Sequence, residues 1–170
     1  MSEKVLCLRT CKADMTAAYN GFRWPVSGIV EAPDWQPTTE CGNGLHGYLW
    51  GEGDAQSIIW DADAKWLVVS VDAESVIALG GKVKFPRCEV VHVGDQKSAT
   101  EYLYANGANG KAVIGGTATA GYGGTATAGY GGTATAGNYG TATAGYGGTA
   151  TAGDRGAATA GNYGTATAGD

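Results

Sequence analysis

The amino-acid sequence predicts a small α+β domain followed by a β-solenoid of about three to four sixteen-residue coils, and three observations lead there. Residues 117–170 repeat Thr-Ala-Thr-Ala-Gly-Tyr-Gly-Gly, with the variants Gly-Asn-Tyr-Gly and Gly-Asp-Arg-Gly, at a strict period of eight. Rungs start at Thr117, Thr125, Thr133, Thr141, Thr149, Ala157 and Thr165 with no insertion to disturb the register. A repeat kept in phase in this way marks a solenoid, whose units bury surface only against the units before and after. Secondly, all five Trp, all four Cys, both His, both Phe and all four Pro lie before residue 117, so a conventional core must be built there. Thirdly, that earlier stretch consists of short β-forming runs separated by Gly, Pro and Asn, with one helical stretch near its end. The expected boundaries are 1–110 for the α+β domain and 111–170 for the solenoid.

In chain order, Val5-Leu6-Cys7-Leu8-Arg9-Thr10-Cys11 reads as the first strand, and Lys12 to Tyr19 as a short helical turn. Gly21 to Val30 reads as extended chain with a turn at Ser27-Gly28, and Pro33, Trp35 and Pro37 keep the next segment irregular. Gly42-Asn43-Gly44 supplies residues that tolerate positive φ, so a tight turn should deliver Leu45 to Trp50 as a strand. Glu52 to Asp61 has the pattern of a short helix, capped by Asp54 with Ala55, Ile58 and Ile59 on one face. Trp66 to Val71, Ser75 to Ala78, Lys82 to Phe85 and Arg87 to Val93 follow as strands, then a helix over Gln96 to Tyr104 and a linker over Ala105 to Gly110.

Charge excludes some partners. The 11 basic and 16 acidic residues divide as 10 and 14 before residue 117 and as 1 and 2 after it, so the tail is nearly neutral. Neither a basic nucleic-acid footprint nor an acidic mimic of DNA can be drawn on the repeats. No stretch approaches the ~20 apolar residues of a membrane span. Residues 1–12 lack the apolar run of a secretory signal, so the reading is an intracellular protein with reduced thiols, cytoplasmic or virion-associated.

Cys41, His46, Cys88 and His92 invite a zinc reading. Against it, no compact Cys-x-x-Cys knuckle is present, and Cys88 and His92 on one face of a regular strand would stand about 13 Å apart. Cys41 and Cys88 as buried small apolar residues are the alternative. A Cys41/His46 nucleophile pair lacks an evident orienting partner. No metal, no cofactor and no catalytic residue is therefore assigned.

Cys41-Gly42-Asn43-Gly44-Leu45-His46 resembles the Cys-x-x-Gly-(Leu/Phe)-His segment of an uncharacterised family common in phages and prophages, whose members join such a domain to octapeptide repeats. Gly21-Phe22 and Arg87-Cys88-Glu89-Val90 fit the same pattern, and Cys41, Gly44, Leu45 and His46 are its motif residues here. That resemblance brings no activity with it. A second likeness is to ADP-ribosyltransferase folds, through the order Gly42-Asn43-Gly44-Leu45-His46, a helix from Ala55 to Trp60, then a strand from Trp66 to Val71. It implies a degenerate transferase, because no His-Gly-Thr-like strand is present near the amino terminus.

The octapeptides are similar to those of bacterial ice-nucleation proteins, in which two octapeptides are thought to make one coil. Sixteen residues allow two short strands joined by two Gly-rich turns, whereas a closed eight-residue coil would enclose almost nothing. Side chains alternate along a strand, so Thr and Ala must face opposite ways. Ala inward gives a thin core, and Thr inward is the competing arrangement, in which each buried hydroxyl would need a partner. With Ala inward, Thr117, Thr119, Thr133, Thr135, Thr149, Thr151, Thr165 and Thr167 form one outward face, and Tyr122, Tyr130, Tyr139, Tyr146 and Tyr163 line the narrow edges. Outward Thr-x-Thr rows resemble the binding faces of ice-binding solenoids, so ice or a small ligand is a candidate partner. The last coil leaves an open strand edge, and bare edges pair with other chains. The expected protein is therefore a structural or interaction module that forms an end-to-end homodimer through its carboxy-terminal coil. An ice-binding protein and a degenerate transferase are the alternatives.

Overall fold

A run of β-branched and aliphatic residues on two long strands organises the first half of the chain. The computed structural model describes residues 2–170, which divide into two compact units, the first ending at Leu103 and the second covering Tyr104–Asp170. The first unit holds β1 (Lys4–Cys11), β2 (Gly28–Glu31), β3 (Leu45–Leu49), β4 (Lys65–Asp72), β5 (Ile77–Ala78), β6 (Val83–Phe85) and β7 (Arg87–Gly94). They form one seven-stranded sheet in the order β2-β7-β4-β1-β3-β6-β5, antiparallel at every pairing. Along the central β1–β4 pair the register runs unbroken from Lys4 opposite Asp72 to Cys11 opposite Lys65.

Both faces of that central pair are covered. Cys7 and Cys11 of β1 join Leu67, Val69 and Val71 of β4, with Phe85, Cys88 and Val90, in one core. The alternate residues Leu8, Trp66 and Val68 point to the other face and are buried as well. Complete burial of side chains such as Leu67 and Val68 is worth about 1.5–3 kcal/mol each. The helix α1 (Gln96–Ala105) presents Ala99, Thr100 and Leu103 inward. It starts with a reciprocal cap: Ser98 N–H donates to Asp95 Oδ1 at 2.8 Å and Asp95 N–H to Ser98 Oγ at 3.1 Å.

Three local expectations are corrected. Glu52 to Asp61 is a chain of turns, because side chains claim the amides a helix would use. Asp54 Oδ1 takes Gln56 N–H, Tyr48 Oη takes Ser57 N–H and Thr10 Oγ1 takes Ile59 N–H. The helix on which the transferase likeness depended is thus not formed. Lys12 to Tyr19 is likewise non-helical, with Met15 at φ 69° and a bridge between Thr16 and Arg23. In β7 a bulge shifts the register, so that Val69 faces Val90 but Val68 faces His92. Cys88 therefore enters the core with Val90, while His92 turns to the other face and stacks on Tyr102 of α1 at 5.2 Å. Cys88 and His92 do not share a face.

In the second unit seven four-residue strands run from β8 (Thr117–Ala120) through β9 (Thr125–Ala128), β10 (Thr133–Ala136), β11 (Thr141–Ala144), β12 (Thr149–Ala152) and β13 (Ala157–Ala160) to β14 (Thr165–Ala168). Alternate strands stack in parallel, β8-β10-β12-β14 on one sheet and β9-β11-β13 on the other, each residue opposite the one sixteen positions on. This is a β-solenoid of about three sixteen-residue coils. Ala points inward: Ala126, Ala128, Ala134, Ala136, Ala142, Ala144, Ala150 and Ala152 are all buried in one cluster. Every Thr is exposed or half-buried on the outside. A further half-rung precedes the repeats, for Gly115 N–H donates to Tyr130 O, Gly129 N–H to Val113 O and Thr133 N–H to Gly116 O.

The turns explain which repeat positions vary. A Cβ on Gly145 would lie 2.8 Å from the Gly129 carbonyl carbon, and one on Gly148 would lie 2.7 Å from Gly132 O. The first and last turn residues must therefore be Gly, because the coil below is in contact with them. The third position is left-handed in every repeat turn, with Gly123 at φ 68°, Tyr139 at 60° and Arg155 at 53°. Its side chain has room, so Gly, Tyr and Arg can all stand there.

Candidate functional site

Two sites arise from this architecture, one in each unit. The first is the outward face of the four-stranded sheet. Register places Thr117, Thr133, Thr149 and Thr165 in one row and Thr119, Thr135, Thr151 and Thr167 in the next. Rows lie about 7 Å apart along the strands and rungs about 4.8 Å apart across them, so hydroxyls and methyls form a flat lattice roughly 14 Å long. The opposite face is interrupted, since Ala157 stands opposite Thr141 where a Thr would complete the row. Between the faces run two edges of rings. Along one edge Tyr130 stacks on Tyr146 at 5.0 Å and Tyr163 tilts against Tyr146 at 5.2 Å, and Tyr122 meets Tyr139 at 5.3 Å on the other. Arg155 continues that second edge, its Nη1 donating to Tyr139 Oη at 2.9 Å.

The second site is a cleft of about 500 Å³ in the first unit, a size usual for small-ligand pockets. Cys41, Gly44, Leu45 and His46, the motif residues read from the sequence, all line it. Sequence reasoning missed their partners: Arg9 from β1, Trp24 from the loop before β2, and Lys82 just before β6. These come from three distant stretches, and only the pairing of β1 with β3 and of β3 with β6 brings them to one place.

The motif loop is fastened from both sides. Lys84, fully buried on β6 opposite His46, donates from Nζ to Glu40 O at 2.8 Å and to Gly42 O and Thr38 Oγ1 at 3.3 Å. Gly42 N–H donates to His46 Nε2 at 3.3 Å, which puts the imidazole proton on Nδ1. Burial, helped by the cations Lys82, Arg9 and Lys84, lowers the His46 pKa to about 4, so the ring is neutral at physiological pH. Arg9 Nη1 donates to His46 O at 3.0 Å, and its guanidinium carbon lies 3.8 Å from the centre of the Trp24 ring.

Three of the four thiols, Cys7, Cys11 and Cys88, are buried. Burial pushes Cys7 and Cys88 up to about 12 and raises Cys11. Cys41 is exposed. Among the described residues no cluster of three or more His, Cys, Asp or Glu could hold a metal ion. Nor is any helix there long and apolar enough to cross a membrane.

An antiparallel-sheet domain with a cationic, aromatic cleft, continued in sequence by a parallel Ala-in, Thr-out solenoid, defines a two-unit repeat protein. The family described as a domain of unknown function (DUF7666) matches residues 5–105, and the chain belongs to that family. Over a longer stretch than the repeats alone, the chain is 49% identical across 107 residues to an ice nucleation protein of Pseudomonas fluorescens, covering 62% of this chain and 9% of that protein. It is 47% identical across 103 residues to the ice nucleation protein InaU of Pantoea ananas, covering 59% and 10%. An ice nucleation protein of Pseudomonas syringae pv. syringae is 44% identical across 119 residues, covering 69% and 10%. The chain thus spans about a tenth of the length of the curated relatives it matches. No solved structure matches it. The solenoid is accordingly an ice-nucleation-like repeat structure.

Proposed function

We propose that this protein is a structural and interaction module whose solenoid self-associates end to end, joining the threonine face of one copy to that of a second. The observation that carries this reading is the state of the last described coil. Ala150 and Ala152 are buried, yet their successors Ala166 and Ala168 on β14 are exposed. A coil of a second chain stacked on β14 would cover those two Ala and continue the ladder. Light scattering after size exclusion tests it directly. The full chain should run as a dimer, and Ala166→Asp with Ala168→Asp should return it to a monomer. A wild-type monomer at high concentration would end the proposal.

A second reading has its own support in the unbroken pair of four-Thr rows: one copy of the solenoid binds ice through that face. The relatives are named as ice nucleation proteins, and a lattice of Thr hydroxyls and methyls at regular spacing suits ordered water. Thermal hysteresis of the full chain is the assay. Thr133→Leu and Thr149→Leu in one row should reduce it several-fold, and an unchanged value would exclude this face as the ice-binding surface.

A further inference from the structure

We infer that the cleft of the first unit is a binding site for a small organic oxyanion, a carboxylate or phosphate monoester carried on a planar ring. This site stands independently of what the solenoid does. The starting point is an excess of positive charge without a counter-ion. Arg9 lines the cleft, and its Nε is buried with no hydrogen-bond partner. One nitrogen of its fork is used by the backbone at His46, while Trp24 covers one face of the guanidinium. Among the described residues no carboxylate lies within ion-pair distance of it. The Cys11 thiol beside it shares a hydrogen bond with the guanidinium, but burial raises its pKa, so it does not compensate the charge. A buried cation left in this state costs free energy that an anion would recover.

The surroundings add to the same sign. Lys82 lines the cleft, its Nζ bonded only to the neutral Ser57 Oγ at 3.2 Å among the contacts described. Lys84 stands behind the wall, satisfied by two carbonyls and a hydroxyl rather than by an acid. Burial is the first cause of the depressed proton affinity of His46, and these three cations add to it. Asp34 is the one carboxylate in the lining and acts on His46 more weakly than any of them. Asp54 lies further out, accepting from Tyr48 Oη at 3.4 Å and from Gln56 N–H at 3.0 Å.

The other half of the lining is apolar and aromatic. Ala17, Ala18, Tyr19, Phe22 and Pro33 face the opening, and Tyr19 is 75% exposed. An oxyanion alone would satisfy the guanidinium and leave this wall wet, whereas a ring bearing the oxyanion fills both halves. The Arg9 donors not already engaged then take the oxyanion, in the planar geometry that favours Arg over Lys for carboxylate and phosphate. Neutral His46 is left to donate from Nδ1.

The test is heteronuclear NMR on the full chain, following the Arg9 Nε–H and Trp24 indole N–H during titration with millimolar benzoate, phenyl phosphate, inorganic phosphate or benzyl alcohol. Either benzoate or phenyl phosphate should shift both resonances to saturation, and which of them does so identifies the head group. Inorganic phosphate and benzyl alcohol should bind at least about tenfold more weakly, since each lacks half of the recognised chemistry. Lys82→Met, a change at the rim that leaves the fold intact, should weaken the better ligand several-fold, and Arg9→Gln should abolish saturation. No saturable shift at Arg9 with either ring-bearing anion would make the guanidinium a purely structural partner of Trp24 and overturn the inference. So would equal binding of benzyl alcohol or of inorganic phosphate, or undiminished binding by a folded Arg9→Gln protein.

Discussion

Replacing Ala134 by Leu should unfold the solenoid far more readily than replacing its neighbour Thr135 by Leu. Both residues sit on β10, which has a rung on either side, and they differ only in the direction of the side chain. Ala134 is fully buried in a core made entirely of Ala, with Ala118 and Ala150 stacked on it. The ladder holds those rungs about 4.8 Å apart and the facing sheet is another wall of Ala, so no rotamer of Leu finds space. Overpacking a rigid core costs about 1–3 kcal/mol, and the upper end applies where the walls are backbone ladders. A cost of about 3 kcal/mol in a unit of this size lowers Tm by about 12–24 °C. Thr135 is exposed, and a surface change there stays within about 0.5 kcal/mol. Far-UV circular dichroism through the melt reads the solenoid. Trp fluorescence serves as an internal control, since all five Trp lie in the first unit. Equal losses, or a larger loss for Thr135→Leu, would refute the Ala-in, Thr-out assignment.

The turn glycines divide in the same way. Gly145→Ala places a Cβ 2.8 Å from the Gly129 carbonyl carbon and should cost about 2 kcal/mol or more. Gly147→Asn, at φ 65° with open space around it, should stay within about 1 kcal/mol in the same melt. In the first unit, an NMR titration of His46 should give a midpoint near pH 4. The unfolded chain takes up that proton at about pH 6.5, so this contribution to stability is complete above about pH 6.5 and is lost as pH falls toward 4. His46→Gln should flatten that part of the stability profile. A midpoint above 6 would mean that the ring is neither buried nor held beside the three cations as described.

The repeats were legible because their physics is local. An eight-residue period, alternation of Thr and Ala, and Gly at the turn ends are each properties of a few consecutive residues, and together they point to sixteen-residue coils with Thr and Ala on opposite faces; the structure decides that Ala is the inner one. Cys41, Gly44, Leu45 and His46 were also visible, since the Gly-Asn-Gly turn and the strand after it announce themselves. Most strands of the first unit are where alternation placed them. The helix expected over Glu52 to Asp61 failed because its amides are taken by Asp54, Tyr48 and Thr10, the last of which lies on a strand some fifty residues earlier.

What the chain determined by itself is therefore whatever nearest neighbours can specify: the solenoid, the segregation of Thr from Ala and the tight turn that carries the motif. Tertiary structure alone decided the cleft. Arg9 reaches His46 O only because β1 lies beside β3, and Lys84 pins the motif loop only because β6 lies on the other side of that strand. The bulge in β7 likewise separates Cys88 from His92, which a regular strand would have kept on one face. Strand order and a one-residue slip are set by the packing of the whole sheet, where each pairing depends on side chains far away in sequence. No window of neighbouring residues contains that information.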